Sequence, residues 1–412
     1  MRGWWILVLV AAWWSGPVSA QAEARKQPQA VDIEALVARN TYPFELRADG
    51  TIIGPGADLL RERTTDAQFF LFGEGHNDRD TPRLAGAIYR MLHDAHGYRT
   101  VVVEQDPLAI EAASRPPLRG DVAAIAALAR RYPAHFGFAS DQDLGFLALA
   151  GSLGAVWGVE QAQGAPRYLE ELAALAPDPA IRARVETLLE RAGKESRAQP
   201  GIFMHDDPAT LPALQALRQD YGTAPGSRAD LLLSDLVDSA RIYGYDRRAG
   251  EGEYVGLYNN TEREALFKRH FVRNYRAATT GAEPLKAMFK FGGWHMYRGK
   301  SPGQAYTIGN FAHEFAIWNG MRAYGITVLA IGGNAQWDDV PGWMRTLLPR
   351  QLPDTPVLVD LQPLKPYARP LREPVDVEDQ WETRDLLQGF DAIVVLPHSA
   401  KASWDLTGFN PP

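Results

Sequence analysis

Phe69-Phe70-Leu71-Phe72-Gly73-Glu74-Gly75-His76 opens the stretch that decides the fold, and Thr100-Val101-Val102-Val103-Glu104 closes it. Each contains a short apolar run that reads as a buried strand. Between them Thr81-Pro82 starts a helix, since threonine can cap and proline is tolerated at the first helical position. Leu84, Ile88, Met91 and Leu92 then repeat at helical spacing, and Gly97 ends the run. A strand–helix–strand unit of this length implies a right-handed crossover and parallel pairing. The expected fold class is α/β, with a mainly parallel central sheet flanked by helices.

Outward from this unit, further strands read at 155–159, 286–291, Thr327–Ile331, Val357–Leu361 and Ala392–Leu396, with a helix expected over Asn310–Tyr324. Between about 165 and 280 the strand signal disappears. Tyr168, Leu169, Leu172 and Leu175 suit one helix, Ile181, Val185, Leu188 and Leu189 a second, and Leu232, Leu233, Leu236, Val237 and Ala240 a third. The expected organisation is a signal peptide over 1–20, one half of the α/β domain over 21–164, a helical insertion over 165–280 and the second half over 281–412. Residues 21–45, polar and proline-bearing, read as a loose lead-in.

The amino terminus has the parts of a targeting segment: Arg2, an apolar stretch from Trp4 to Trp14, and Val18-Ser19-Ala20 as a small-residue cleavage site. Export to a periplasm or secretion is expected, with cleavage after Ala20; an uncleaved anchor is the alternative. No later stretch is long and uncharged enough to span a membrane. The 412 residues include no cysteine, which excludes thiolate nucleophiles, thiolate zinc sites and iron–sulfur clusters. The net charge of −7, with basic residues scattered rather than striped, argues against nucleic-acid binding.

Strand ends carry the chemistry. The first run leads to Glu74 and His76, the second to Glu104, the run at 155–159 to Glu160, and the run at 287–291 to Gly292-Gly293-Trp294-His295. Glycine followed by histidine at a strand end sets an imidazole at the carboxyl edge of a sheet, where open α/β proteins bind ligands. A glutamate after Val-Val-Val needs solvent, a hydrogen bond or a cation. Histidine suits proton transfer near neutral pH, and a nearby carboxylate raises its basicity. Two imidazoles plus a carboxylate, His76, His295 and Glu104, could instead hold a divalent metal ion. Both schemes lead to water attacking a carbonyl or phosphoryl group. His93, His96, His135, His205 and His313 read as ordinary surface or core residues. There is no Gly-x-Ser-x-Gly elbow, glycine-lysine phosphate loop or His-Glu-x-x-His helix.

Leu71-Phe72-Gly73-Glu74-Gly75-His76, the step from His76 to Glu104, Arg263 leading to Phe289-Lys290-Phe291-Gly292-Gly293-Trp294-His295, and the closing runs Val359-Asp360-Leu361 and Phe390–Val395 together resemble the erythromycin esterase family. The wider superfamily includes ChaN-like haem-binding lipoproteins and TIKI-type metalloproteases. The resemblance implies a hydrolase cleaving an ester or related carbonyl bond. His76 would be the general base, Glu74 and Glu104 would position it, and His295 would stabilise the oxyanion or protonate the leaving group. Glu160, Arg263 and Arg298 are substrate-binding candidates, Arg298 as anchor for an anionic substrate. A small-molecule or peptide substrate is implied, with either no cofactor or a divalent metal ion. The alternatives are a metal-dependent hydrolase or peptidase built on the same residues, and haem binding without catalysis. The sequence departs from the esterase pattern at two places. The spacing between Glu74 and His76 is one residue shorter, and Gly292 stands where the esterases carry the first of two histidines.

Overall fold

The computed structural model describes residues 31–250, 256–281, 283–333, 335–367 and 383–409; the targeting segment over 1–20 lies outside them. From Ile33 onward the chain is built on an eight-stranded sheet. In chain order the strands are β1 (Thr41–Pro43), β2 (Glu45–Leu46), β3 (Ile52–Ile53), β4 (Ala67–Glu74), β5 (Thr100–Val103), β6 (Ala155–Gly158), β7 (Ala287–Gly292), β8 (Arg322–Ala330), β9 (Val357–Asp360) and β10 (Ala392–Leu396). β2 and β3 pair with each other in a separate ribbon. The main sheet runs β1-β9-β10-β8-β4-β7-β5-β6. The strands from β10 to β6 in that order are mutually parallel, and β9 is antiparallel to both of its neighbours, β10 and β1.

Parallel strands covered on both faces must be apolar on both faces. All eight residues of β4 are buried, and its side chains alternate. Phe70 and Phe72 enter a core with the helices Asp80–His96 and Asp141–Leu153. Phe69 and Leu71 enter a second core with the helices Gly256–Ala278 and Ile308–Trp318.

The helical insertion lies between β6 and β7 and includes helices Pro166–Leu175, Pro179–Ala192, Thr210–Tyr221 and Arg228–Gly250. It has an apolar core of its own, with Tyr168, Leu172, Val185, Leu214, Leu217 and Leu233 buried in it. Its last helix, Gly256–Ala278, turns back onto the sheet through Phe267 and Phe271.

Three sequence expectations need correction. β4 and β5 are parallel members of one sheet, yet they are not neighbours. β7 lies between them, pairing Glu74 with Gly292 on one side and Val103 with Lys290 on the other. Adjacency in sequence favours adjacency in a sheet without dictating it. The helix expected over Asn310–Tyr324 ends at Trp318, because Gly320 turns the chain at φ 72° and β8 starts at Arg322. The expected loose lead-in contains the helix Ile33–Arg39 and strand β1, which covers the outer edge of β9.

Candidate functional site

The placement of β7 brings the two Gly-x-x-His blocks together. β4, β7, β5 and β6 end side by side, and each delivers a polar group to the same carboxyl edge. Glu74 is the last residue of β4, and His76 follows it. The His76 ring stacks on Phe138, with centroids 4.1 Å apart and planes inclined by 24°. Its Nδ1 is 3.3 Å from Glu74 Oε1, poorly aligned for a hydrogen bond, and its Nε2 is 4.0 Å from Glu104 Oε2. Burial disfavours the charged ring. Contact with Glu74 and the charge of Glu104 outweigh that and raise His76 above its ordinary pKa of 6.5. The side chain remains 29% exposed, so solvent reaches it.

Gly292 makes this arrangement possible. A Cβ at this position would lie 2.9 Å from His76 Nε2 and 3.4 Å from Glu104 Oε2. The Gly292 amide donates to Glu104 Oε2 at 2.8 Å. The departure from the esterase pattern thus leaves the space that His76 and Glu104 occupy.

His295 lies in the short 3-10 turn Gly293–Met296 after β7 and is held at both nitrogens. Nδ1 lies 2.5 Å from Glu264 Oε1, and Nε2 lies 3.2 Å from Glu104 Oε1. Burial opposes its charge, but Glu104 and Glu264 push its pKa up to about 10. The Arg263 guanidinium, whose Nη1 lies 3.2 Å from Nε2, works against that rise. Glu264 is itself fixed, accepting from the Ile308 amide at 2.6 Å.

Arg263, one residue before Glu264, spans the remaining carboxylates. It donates to Glu104 Oε1 at 2.8 Å and from Nε to Glu160 Oε1 at 2.9 Å, and a second bond joins Nη2 to Glu160 Oε2. Its guanidinium also lies 5.0 Å over the Phe267 ring. Burial opposes its charge too, but Glu160 and Glu104 hold Arg263 above the ordinary arginine value. For Glu104, burial opposes ionisation, yet His295, Arg263 and His76 hold it well below the usual carboxylate range.

Behind Glu74 lies a buried lysine. Lys290, from the middle of β7, donates to Glu74 Oε1 at 2.6 Å and to Asp143 Oδ1 at 3.2 Å. Burial disfavours its charge, and Glu74 and Asp143 restore it, so Lys290 stays protonated. Gln105 fixes the Phe138 loop by donating to the Phe138 carbonyl at 2.7 Å and accepting from the Gly137 amide at 3.1 Å.

His76, Glu74, Glu104, His295, Glu160 and Arg263 therefore meet at one edge. Arg298 does not join them. It bonds Asp391 and lines a cavity at the opposite, amino edge of the sheet. Of the other histidines, His135 is buried against Asp106 and Tyr168, and His313 is buried beside Arg298. His93, His96 and His205 bond Asp94, the Arg61 carbonyl and Asp206 toward the surface.

Sequence reading missed Lys290, Asp143, Glu264, Phe138 and Gln105. Lys290 carried a visible signal, a lysine between two phenylalanines inside a buried strand. Glu264 sat beside a residue already singled out.

The set His76, Glu104 and His295 does not fit a metal ion. Glu104 is committed to Gly292, Arg263 and His295, and His295 has both nitrogens engaged. Among the described residues no group of three or more His, Asp or Glu is placed to hold one. No helix among them is long and apolar enough to cross a membrane.

No family model and no curated protein matches the sequence. Solved structures do match the fold. A Bacillus cereus protein aligns with TM-score 0.60 at 10% identity, covering 90% of this chain and 98% of that one. A succinoglycan biosynthesis protein aligns with TM-score 0.57 at 13% identity, covering 90% and 97%. An erythromycin esterase mutant in its open conformation aligns with TM-score 0.55 at 14% identity, covering 85% and 95%. At such identities the likeness is one of fold, which this chain shares with an erythromycin esterase.

Proposed function

We propose that the protein is a hydrolase that cleaves an ester or a related carbonyl bond in a small molecule or peptide, with His76 as general base. One observation carries this reading. His76 is the solvent-reachable imidazole of the cluster, and its basicity is raised by Glu74 and Glu104, although Lys290 also bonds the first and Arg263 the second. A base needs a free nitrogen within reach of water and a pKa near the working pH. Glu74 faces Nδ1 and favours the tautomer that leaves Nε2 unprotonated to accept a proton from water.

His295 and Arg263 supply positive charge beside Glu104, of the kind that stabilises an oxyanion. His295, already protonated, is suited to hold that oxyanion or to give a proton to the leaving group, as Glu104 is exchanged for substrate. Glu160 holds Arg263 in place. The fold shared with an erythromycin esterase supports hydrolysis as the reaction class. The amino-terminal targeting segment fits an exported, periplasmic or secreted enzyme.

The test is a panel of ester, peptide and phosphoester substrates offered to the purified protein and to His76→Gln. Turnover of a carbonyl substrate that the variant loses, at unchanged thermal stability, supports the assignment. Equal turnover by both proteins refutes it.

A further inference from the structure

The amino edge of the sheet carries a second cluster that the proposed hydrolysis does not use. A cavity of about 620 Å³ lies there, lined among others by Arg63, Arg298, Arg322, Lys365, His313 and Asp391. Arg63 precedes β4, Arg322 opens β8, Asp391 precedes β10, and Lys365 follows β9. These positions are at the other end of the strands from His76 and His295.

The cavity is rich in cationic donors. Four cationic side chains line it: Arg63 pairs with Asp360, Arg322 with Asp66, and Arg298 and Lys365 share Asp391, while Glu314 also lines the wall. Asp391 is saturated. It accepts from Lys365 at 2.8 Å, Gln362 at 2.5 Å, the Gly325 amide at 2.9 Å, and Arg298 at 3.0 and 3.1 Å. One carboxylate thus serves two cations. Lys365 uses a single acceptor although an ammonium has three donors. Arg63 bonds Asp360 through Nη2, and its buried Nε has no hydrogen-bond partner among the described residues.

His313 adds no acid. Its Nδ1 faces Arg298 at 3.3 Å and must accept there, which puts the proton on the other nitrogen. Burial, with Arg298 next, pushes its pKa down to about 3, so it stays neutral. Burial holds Lys365 below its ordinary value, against the opposing charge and hydrogen bond of Asp391.

We propose that this cavity binds a phosphate group, free or on a small monoester, through Arg63, Arg298 and Lys365. The three donors come from separate segments around the cavity, and arginine and lysine are common partners of phosphate oxygens. The volume exceeds that of phosphate alone, and Ile317 and Ala323 give the cavity an apolar wall for the rest of a monoester.

The test is calorimetric titration of the full chain with inorganic phosphate and, separately, with glycerol 3-phosphate, at ionic strength fixed with sodium chloride. Saturable binding is expected for at least one. Tighter binding of the ester assigns the apolar wall a role; equal binding assigns the site to free phosphate. Lys365→Gln should weaken binding about tenfold, and Lys365→Arg should restore most of it. Arg63→Gln provides an independent check should Lys365→Gln unfold. Absence of saturable binding by both ligands, or unchanged affinity in folded Lys365→Gln and Arg63→Gln, would overturn the proposal.

Discussion

His76 and His295 end the same short motif, follow the same kind of strand and reach the same sheet edge, yet the structure treats them in opposite ways. His76 is stacked on Phe138, lies beside two glutamates without a well-formed bond to either, and remains open to solvent. His295 is clamped between Glu264 and Glu104, which push its pKa up to about 10. A motif therefore specifies where an imidazole goes, and its neighbours specify whether it can gain and lose a proton. The difference is made by the helix Gly256–Ala278, which brings both Glu264 and Arg263 against the His295 ring.

The largest expected effect is on rate. His76→Gln should lower turnover by about 10²–10⁴-fold, the range of a lost general base, with the melting temperature unchanged. His295→Gln should lower both turnover and stability, because it leaves Glu264 buried without its cation. Steady-state kinetics beside thermal denaturation separates the two outcomes, and identical behaviour of the variants would erase the distinction between the rings.

Lys290→Met should come next. It leaves Glu74 and Asp143 buried without a cation, a situation that costs about 3–5 kcal/mol. Urea denaturation reads this directly. A change below about 1 kcal/mol would mean that Glu74 finds another partner, and that His76 does not depend on the lysine behind it.

Gly292→Ala tests the shared space. The added methyl would meet His76 Nε2, so the ring must move. A displacement of about an ångström costs on the order of 10²-fold in rate. The expectation is a loss of turnover at nearly constant substrate affinity.

The last expectation is a pH dependence of stability. His295 is raised in the folded chain from 6.5 to about 10. Its stabilising contribution is complete below pH 6.5 and disappears as pH climbs to about 10. Over that interval the wild-type chain should lose stability relative to His295→Gln, with the two curves converging at the alkaline end. Denaturation midpoints at a series of pH values measure it; parallel curves would show that the ring is not held as an imidazolium.

Much of the framework was legible because apolar strand runs are dense signals. The runs over 69–72, 100–103, 155–159 and 287–291, each ending in glycine or a carboxylate, gave both the α/β class and the edge where Glu74, His76, Glu104, Glu160 and His295 assemble. Strand order was not legible. Nothing local to Ala287–Gly292 says that it slots between β4 and β5, since parallel pairing is decided by the packing of both faces. The partners that distinguish the histidines were hidden for a related reason. Glu264 and Asp143 sit in helices, where a charged residue ordinarily faces water, and only the tertiary fold reveals that these two do not. Arg298 was expected near the substrate because it follows His295 closely. The chain reverses after Met296, and its side chain is drawn to Asp391 instead.

The late arrival of β7 constrains how the chain acquires its structure. β4 and β5 are synthesised early and each presents an unsatisfied ladder toward the gap between them. That gap stays open through the entire helical insertion, until Ala287–Gly292 leaves the ribosome. Exposed strand edges of this apolar kind invite pairing with other chains. Ordering of the central sheet must wait for long-range closure, which slows folding. A fragment ending before β7 would thus be prone to aggregation, and the reaction centre and the middle of the sheet would come into being in one late event.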